Sequence, residues 1–187
     1  SGCFSAYRTA VLRALGGWST RTMAEDMDLT WTLYSHGHRV RFIPDAVCYP
    51  IEPHDLAFLT KQLRRWSHGF VQNVRLHRRS LLELGFLRSA VAVAFWDSVL
   101  ASLAYLVALP ILAAVVSPAF LLAYLIDAPV VLVPVLYQAN RRHEVGRALA
   151  SMPAFFALRV VNGVFMLAAL WRELIVNRPL LVYEKGH

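Results

Sequence analysis

The chain has 187 residues, of which 57% are hydrophobic and only 17% are charged. Soluble domains carry about 25% charged residues, so this composition excludes a purely soluble globular protein. The formal net charge of +7 is unevenly placed, because residues 1–60 sum to −1 (five basic, six acidic) and residues 61–187 sum to +8 (fourteen basic, six acidic). The basic excess lies in the apolar part, which favours anionic lipid headgroups over nucleic acid as its partner.

Residues 1–53 have the pattern of the closing part of an α/β domain. Helices are predicted over Ala6–Leu15 and from Glu25 to about Ser35, each followed by glycine. Charged and apolar residues alternate over Arg39–Ile43, which predicts a half-exposed strand. A turn at Pro44-Asp45 and a second short strand over Ala46–Tyr49 are predicted to follow.

Three carboxylates, those of Glu25, Asp26 and Asp28, crowd the predicted start of the second helix. Acidic residues are favoured in a first turn by the helix dipole, which explains one or two of them. A well-placed carboxylate can also remove a proton from an attacking hydroxyl group as a general base. We interpret Asp28 as structural and keep Glu25 and Asp26 as candidates for that chemistry.

The segment 54–88 is basic, and an amphipathic helix is predicted over His54–Phe70. Gln62, Arg65 and Trp66 share one face of it, since they are three and four positions apart. A guanidinium group donates two hydrogen bonds to a phosphate, and an indole ring can stack on a sugar. The alternative is an interfacial helix whose arginines contact lipid headgroups and whose tryptophan anchors it.

Two histidines of this basic region, His68 and His77, are interpreted as surface or interface residues. Metal binding is the less favoured alternative for them, because no carboxylate or cysteine completes a ligand set.

Residues 89–187 are predicted to be transmembrane, with helices near 92–116, 119–138 and 152–171. Residues 89–140 carry only two charged side chains and are long enough for two spans, with a break near Ser117-Pro118. Arg159 interrupts the third stretch and is expected to face protein or a channel. Basic residues lie before the first span and after the second. They predict that the start of the first span and the end of the second are in the cytoplasm. Three spans would then place the tail outside, although its slight basic excess favours the inside.

Gln62-x-x-Arg65-Trp66 resembles the Q-x-x-R-W signature of processive family 2 glycosyltransferases, which include cellulose, chitin, hyaluronan and bacterial poly-N-acetylglucosamine synthases. Ala24-Glu25-Asp26 resembles their T-E-D motif, with alanine in place of threonine, and Asp26 lies 36 positions before Gln62. Residues 1–8 resemble the S-G-x-x-x-x-[YF]-R segment that precedes this motif. The resemblance covers essentially the whole chain and identifies it as the C-terminal part of a longer protein.

The resemblance implies an α/β fold class: a fragment of a GT-A-type nucleotide-diphospho-sugar transferase in residues 1–53. An interfacial helix in 54–88 and a transmembrane α-helical region in 89–187 would follow it. In this family the last carboxylate of T-E-D is the general base, which would be Asp26, with Glu25 orienting the acceptor. The expected donor- and acceptor-binding residues are Gly2, Gln62, Arg64, Arg65 and Trp66.

The implied reaction is inverting transfer of a sugar, with N-acetylglucosamine expected, from a UDP-sugar to a growing β-linked polysaccharide. The implied cofactor is a divalent cation, Mg or Mn, whose D-x-D ligands lie outside this chain. The expected location is the plasma membrane, with membrane lipids as partners and the catalytic part in the cytoplasm. Two alternatives remain: single-sugar transfer to a lipid carrier, and a non-catalytic membrane anchor or transporter module.

Overall fold

The computed structural model describes residues 2, 4–43, 46–51, 53–83 and 85–182. Ser1, Cys3 and the predicted turn at Pro44-Asp45 lie outside these described residues. The chain divides into two compact units. The first unit comprises Ser1–Ala94 and Ala168–His187, and the second comprises Phe95–Leu167.

The first unit contains four complete helices within the described residues. They are α1 (Thr9–Ala14), α2 (Glu25–Ser35), α3 (Leu56–Leu76) and α4 (Arg78–Glu83). The predicted first helix is shorter than expected, with six residues and no buried side chain. The second agrees with its predicted limits, because three acidic residues compensate the dipole of its first turn. Its buried residues include Leu29, Trp31 and Leu33, which form part of the core of this unit.

Helix α3 is the central element of the first unit. Asp55 caps its start, where Oδ1 accepts a hydrogen bond of 2.6 Å from the backbone N–H of Phe58. The helix continues six residues beyond the predicted end, since no proline or glycine interrupts it between Phe70 and Leu76. Every residue from Ser67 to Asn73 is buried, which covers all sides of the helix over nearly two turns. This seven-residue stretch of α3 is therefore enclosed by protein, unlike a helix that presents one face to lipid.

The two predicted strands are not confirmed in the described residues. Arg39–Ile43 and Ala46–Tyr49 have no regular secondary structure, and Phe42 and Tyr49 are 90% and 93% exposed. A strand requires the hydrogen bonds of a neighbouring strand, and the described part of this chain offers none. The alternating pattern indicates which side chains would be buried in a sheet, but it does not supply the neighbouring strand.

Two long helices connect the units along the chain. Helix α5 (Gly85–Val115) begins in the first unit, and helix α7 (Val145–Ile175) ends in it. Helix α5 contains two π turns, Trp96–Leu100 and Ala104–Ala108. The second π turn ends two residues before Pro110, whose ring nitrogen cannot donate to the helix ladder. The wider turn accommodates that missing donor within a continuous helix.

Between the long helices, the chain forms a 3-10 segment, Pro118–Ile126, and helix α6, Asp127–Arg141. The predicted break near Ser117-Pro118 is confirmed, because α5 ends at Val115. Among the described residues, α5 and α7 are the two helices long and apolar enough to cross a membrane. The sequence predicted one continuous span near 119–138. In the structure these residues are divided between a 3-10 segment and a 15-residue helix.

The second unit contains the charged residue that interrupts the last apolar stretch. Arg159 Nη2 donates a hydrogen bond of 2.8 Å to Asp97 Oδ1, and its guanidinium carbon lies 5.8 Å from the ring centre of Tyr105. The Arg159 side chain is only 18% exposed, so it faces protein as predicted. One turn away, a Cβ placed on Gly163 would lie 2.9 Å from Leu106 Cδ1, which is the close packing that small residues permit between apolar helices.

Candidate functional site

The predicted catalytic carboxylates lie at the first turn of α2. Ala24 is the N-cap residue, Glu25 is exposed and Asp26 is half-buried. Gly2 lies beside Asp26, because a Cβ placed on Gly2 would be 3.2 Å from Asp26 Oδ2. Gly2 has a φ of 98°, a left-handed conformation that favours glycine. The backbone at Gly2 therefore approaches the carboxylate closely, and the structure brings together two residues that the sequence predicted for one site.

Helix α3 touches the N-cap of α2 directly. A Cβ placed on Gly69 would lie 2.6 Å from Ala24 Cβ and 2.9 Å from the Ala24 backbone nitrogen. Both distances are shorter than any ordinary carbon contact, so only glycine allows the two backbones this approach. The sequence immediately after Trp66 therefore sets the position of the Ala24-Glu25-Asp26 segment.

Two buried amides of α3 then fix the residues before Glu25. Asn73, which is fully buried, donates from Nδ2 to the backbone oxygen of Ala24 at 3.2 Å and to that of Gly69 at 2.8 Å. Gln72 accepts at Oε1 a hydrogen bond of 2.8 Å from the backbone N–H of Met23. Buried polar groups cost free energy unless they are paired, so these bonds specify one arrangement of the two helices.

Gln62, Arg65 and Trp66 lie on the face of α3 that carries Gly69. They precede it by seven, four and three residues, which places them within about 60° of it around the helix and roughly 4–10 Å along the axis. Gln62 and Arg65 are half-buried, and Trp66 is 53% exposed. Because Gly69 contacts Ala24, this face leads toward the start of α2. Arg64, five residues before Gly69, lies on a different face.

Asp28 has a structural role, as predicted. It is 2% exposed and accepts hydrogen bonds of 2.8 Å from Nε and Nη2 of Arg21, and its Oδ1 lies 2.6 Å from Nε2 of His77. Burial alone would raise the pKa of Asp28, but the hydrogen bonds from His77 and Arg21 outweigh it and lower that pKa from 3.8 to about 2. The hydrogen bond to Asp28 in turn raises the pKa of Arg21.

The prediction that His68 and His77 are surface or interface residues is wrong. They are 3% and 7% exposed, and His68 Nδ1 lies 2.6 Å from Glu173 Oε1. Each histidine therefore has a buried carboxylate partner. Those partners, Asp28 and Glu173, lie 49 and 105 positions away in the sequence, so the local pattern could not indicate them.

Sequence reasoning also missed the contribution of Gly69, Gln72 and Asn73. The available signal was Gly69 in the interior of an otherwise amphipathic helix, with the amide side chains of Gln72 and Asn73 three and four residues after it. Glycine is unfavourable in a helix interior by about 1 kcal/mol relative to alanine, which indicates a packing or functional reason when it occurs there.

Comparison with known proteins identifies the family of this chain. The family model for Glycosyl transferase family group 2 matches residues 1–127. An uncharacterized glycosyltransferase, YaiP, of Escherichia coli K12 is 42% identical over 81 residues, which cover 43% of this chain and 20% of that protein. A poly-beta-1,6-N-acetyl-D-glucosamine synthase of Staphylococcus aureus strain COL is 33% identical over 69 residues, which cover 37% and 17%.

The matched region thus spans about a fifth of the length of these curated relatives. No solved structure matches the chain significantly. The family match nevertheless extends over both segments of the site, from Gly2 through the Ala24–Asp26 segment to α3, and over more than half of the chain. The chain therefore belongs to glycosyl transferase family group 2.

Proposed function

We propose that the chain forms the acceptor side and membrane region of an inverting glycosyltransferase. The enzyme transfers a sugar, N-acetylglucosamine in our proposal, from a UDP-sugar to a growing β-linked polysaccharide at the membrane. Membership of the family implies a nucleotide-sugar donor and a polysaccharide acceptor. The similarity to a poly-beta-1,6-N-acetyl-D-glucosamine synthase supports the choice of sugar.

One observation carries the proposal: the helix with Gln62, Arg65 and Trp66 is held in backbone contact with the segment that carries Asp26. That contact is made by Gly69 of α3 with Ala24, which lies two residues before Asp26. A helix that only lay on lipid would need no such contact with a carboxylate segment. A site for group transfer does need it, because the base, the leaving group and the acceptor must be held in one geometry.

In this proposal the half-buried Asp26 is the general base. Its carboxylate accepts the proton of the acceptor hydroxyl as that oxygen attacks the anomeric carbon of the donor. The bond from the anomeric carbon to the diphosphate breaks on the opposite face, which inverts the configuration. Arg65 donates to the diphosphate and stabilises the negative charge that develops on it. The exposed ring of Trp66 stacks on the acceptor sugar, and Gln62 supports the donor contact.

Family 2 glycosyltransferases generally use a divalent metal. The described residues contain no group of three or more His, Cys, Asp or Glu side chains that could hold one. In our proposal the ligands of a Mg or Mn ion, like the strands of a GT-A-type α/β domain, are supplied by other parts of the complete enzyme.

The tail after the last long helix lies on the catalytic side of the membrane in this proposal. The buried contact of His68 with Glu173 supports this assignment, because the contact places the end of α7 beside α3. The chain between these residues then crosses the membrane an even number of times, which fits the two candidate spans α5 and α7. The two apolar helices suggest membrane association, and we assign the catalytic side to the cytoplasm of the plasma membrane.

Asp26→Asn in the complete enzyme tests the catalytic assignment. The amide keeps the size of the side chain but cannot accept the proton, so transfer should fall by about 10² or more while donor binding persists. The measurement is UDP release together with polymer formation on the same membranes. Turnover close to that of the unmodified enzyme would reassign Asp26 to compensation of the helix dipole.

Arg65→Lys and Trp66→Ala separate an active site from a lipid anchor. Lysine keeps the charge but loses the two-pronged donor, so transfer should fall at least tenfold, since a charged hydrogen bond is worth roughly 1.5–3 kcal/mol. Trp66→Ala should impair elongation more than UDP release. Arg78→Lys, at an exposed arginine of α4, is the control and should have no effect.

Full polymer synthesis by both variants would leave the non-catalytic anchor as the better account. Product length decides the remaining alternative, because a single labelled sugar on a lipid carrier would replace the polysaccharide in that case.

A further inference from the structure

The tail that follows α7 is connected to the Asp26 segment through one buried side chain, Gln72. Its Oε1 accepts from the backbone N–H of Met23 at 2.8 Å, and its Nε2 donates to Glu173 Oε1 at 2.8 Å and to the backbone oxygen of Leu180 at 2.9 Å. Both N–H donors and one acceptor site of this amide are used. The orientation of the amide is also fixed, because the Met23 nitrogen must donate and the Leu180 oxygen must accept.

Glu173 is the second member of this connection. It is 2% exposed, and its Oε1 lies within hydrogen-bonding distance of three donors: Gln72 Nε2 at 2.8 Å, His68 Nδ1 at 2.6 Å and the Leu180 nitrogen at 3.1 Å. A buried carboxylate requires such donors, because burial removes the hydrogen bonds that water would otherwise supply. Two of the donors belong to α3 and the third to the tail.

Arg75 holds the reversal of the chain at the end of α7. Its Nη1 donates to the backbone oxygen of Glu173 at 3.1 Å and to Asn177 Oδ1 at 3.0 Å. Asn177 has a φ of 54°, a left-handed conformation that asparagine tolerates better than most residues. The chain turns there and returns to α3, where Leu180 is buried.

These contacts form a continuous path from the tail to the residue two positions before Glu25. Glu173 and Leu180 hold Gln72, Gln72 holds Met23, and Ala24 and Asp26 follow along the chain. Gln72 lies seven residues after Arg65, which is about two turns or roughly 10 Å further along the same side of α3, where it bonds to the segment just before the α2 N-cap. The path therefore reaches the base segment without passing through the donor-binding residues.

We infer that Gln72 and Glu173 are positioning residues, through which the tail after the last membrane helix sets the placement of Asp26. This inference rests on the proposed function. It predicts a specific kinetic signature: loss of the contact displaces the base relative to the acceptor hydroxyl and leaves the donor contacts intact. The turnover number should fall while the KM for the donor stays unchanged.

Glu173→Gln in the complete enzyme is the first test. The neutral amide keeps the size but accepts more weakly from His68 and Gln72, so we expect kcat to fall about tenfold with the donor KM within about twofold. Gln72→Glu should have a similar effect, because two carboxylates would then face each other.

The matched control is Glu144→Gln, which removes an exposed carboxylate whose partner is Arg147, three residues away. It should leave both constants unchanged. Arg75→Gln is a milder variant of the same turn, for use if the buried variants do not accumulate in membranes, and should lower kcat about threefold. Activities are normalised to the amount of monodisperse enzyme after solubilisation.

The unmodified enzyme is assayed first for UDP release from the UDP-sugar, so that two failures can be distinguished. No transfer by the unmodified enzyme would refute the proposed function itself. Transfer by the unmodified enzyme with unchanged kcat in Glu173→Gln and Arg75→Gln would overturn the positioning role alone. A raised donor KM at unchanged kcat would also overturn it.

Discussion

Gly69→Ala is the change that tests the architecture of the site most directly. The added methyl group would lie 2.6 Å from Ala24 Cβ, 2.9 Å from the Ala24 nitrogen and 3.3 Å from its Cα. Two of these three atoms are backbone atoms at the start of α2. They cannot rotate away as the end of a flexible side chain would, so the α2 N-cap must move away from α3 by roughly 1 Å to reach ordinary contact distance.

The expected effects on stability and on activity differ in size. Alanine is better than glycine in a helix interior by about 1 kcal/mol, whereas overpacking costs about 1–3 kcal/mol, so the net loss of stability should not exceed about 2 kcal/mol. The displacement, in contrast, acts on Asp26 two residues further on. A misplacement of about 1 Å can reduce the rate about 10²-fold. We therefore expect an enzyme that folds but transfers sugar about a hundred times more slowly.

The assay is UDP release and polymer formation at saturating donor, with thermal unfolding of the solubilised enzyme measured in parallel. Gly146→Ala is the matched control, because a Cβ there meets no atom within 4 Å and the residue is also helical. It should leave both activity and stability nearly unchanged. Normal turnover in Gly69→Ala would refute the claim that this contact positions the base, whatever the effect on stability.

Three further predictions concern other parts of the chain. Because the pKa of Asp28 is lowered to about 2, its ionised form stabilises the fold above about pH 4, and about 2 kcal/mol of stability should be lost between pH 4 and 2 in denaturant titrations of the solubilised enzyme. Asp97→Asn removes the ion pair with Arg159, worth on the order of 1–2 kcal/mol, and should lower the thermal midpoint of unfolding. Reversal of both charges should restore the midpoint. A midpoint of Asp97→Asn equal to that of the unmodified enzyme would contradict this. In a cysteine-free background, a cysteine at Ser117 should be labelled from outside intact cells and one at Arg178 only after permeabilisation, and the opposite pattern would refute the two-crossing topology.

Much of the local structure could be predicted from the sequence. The acidic first turn of α2, the start of α3 near Asp55, the break before Pro118 and the inward-facing Arg159 all follow from local chemistry: dipole compensation, capping, the missing proline donor and the cost of a charge in an apolar stretch. The candidate residues of the site were also identified at this level, since their spacing and their resemblance to known motifs are properties of the sequence.

The tertiary structure decided how those residues are held. The burial of His68 and His77 depends on Glu173 and Asp28, and no periodic pattern encodes a partner 105 positions away. The exposed segment 39–43 shows the converse, because an alternating pattern does not form a strand unless a neighbouring strand is present. The sequence by itself determined which chemical groups are available and which face of each helix is apolar, since both depend on neighbours within a turn. Only the folded chain determined that a glycine of α3 touches the N-cap of α2, because that distance depends on the packing of two backbones.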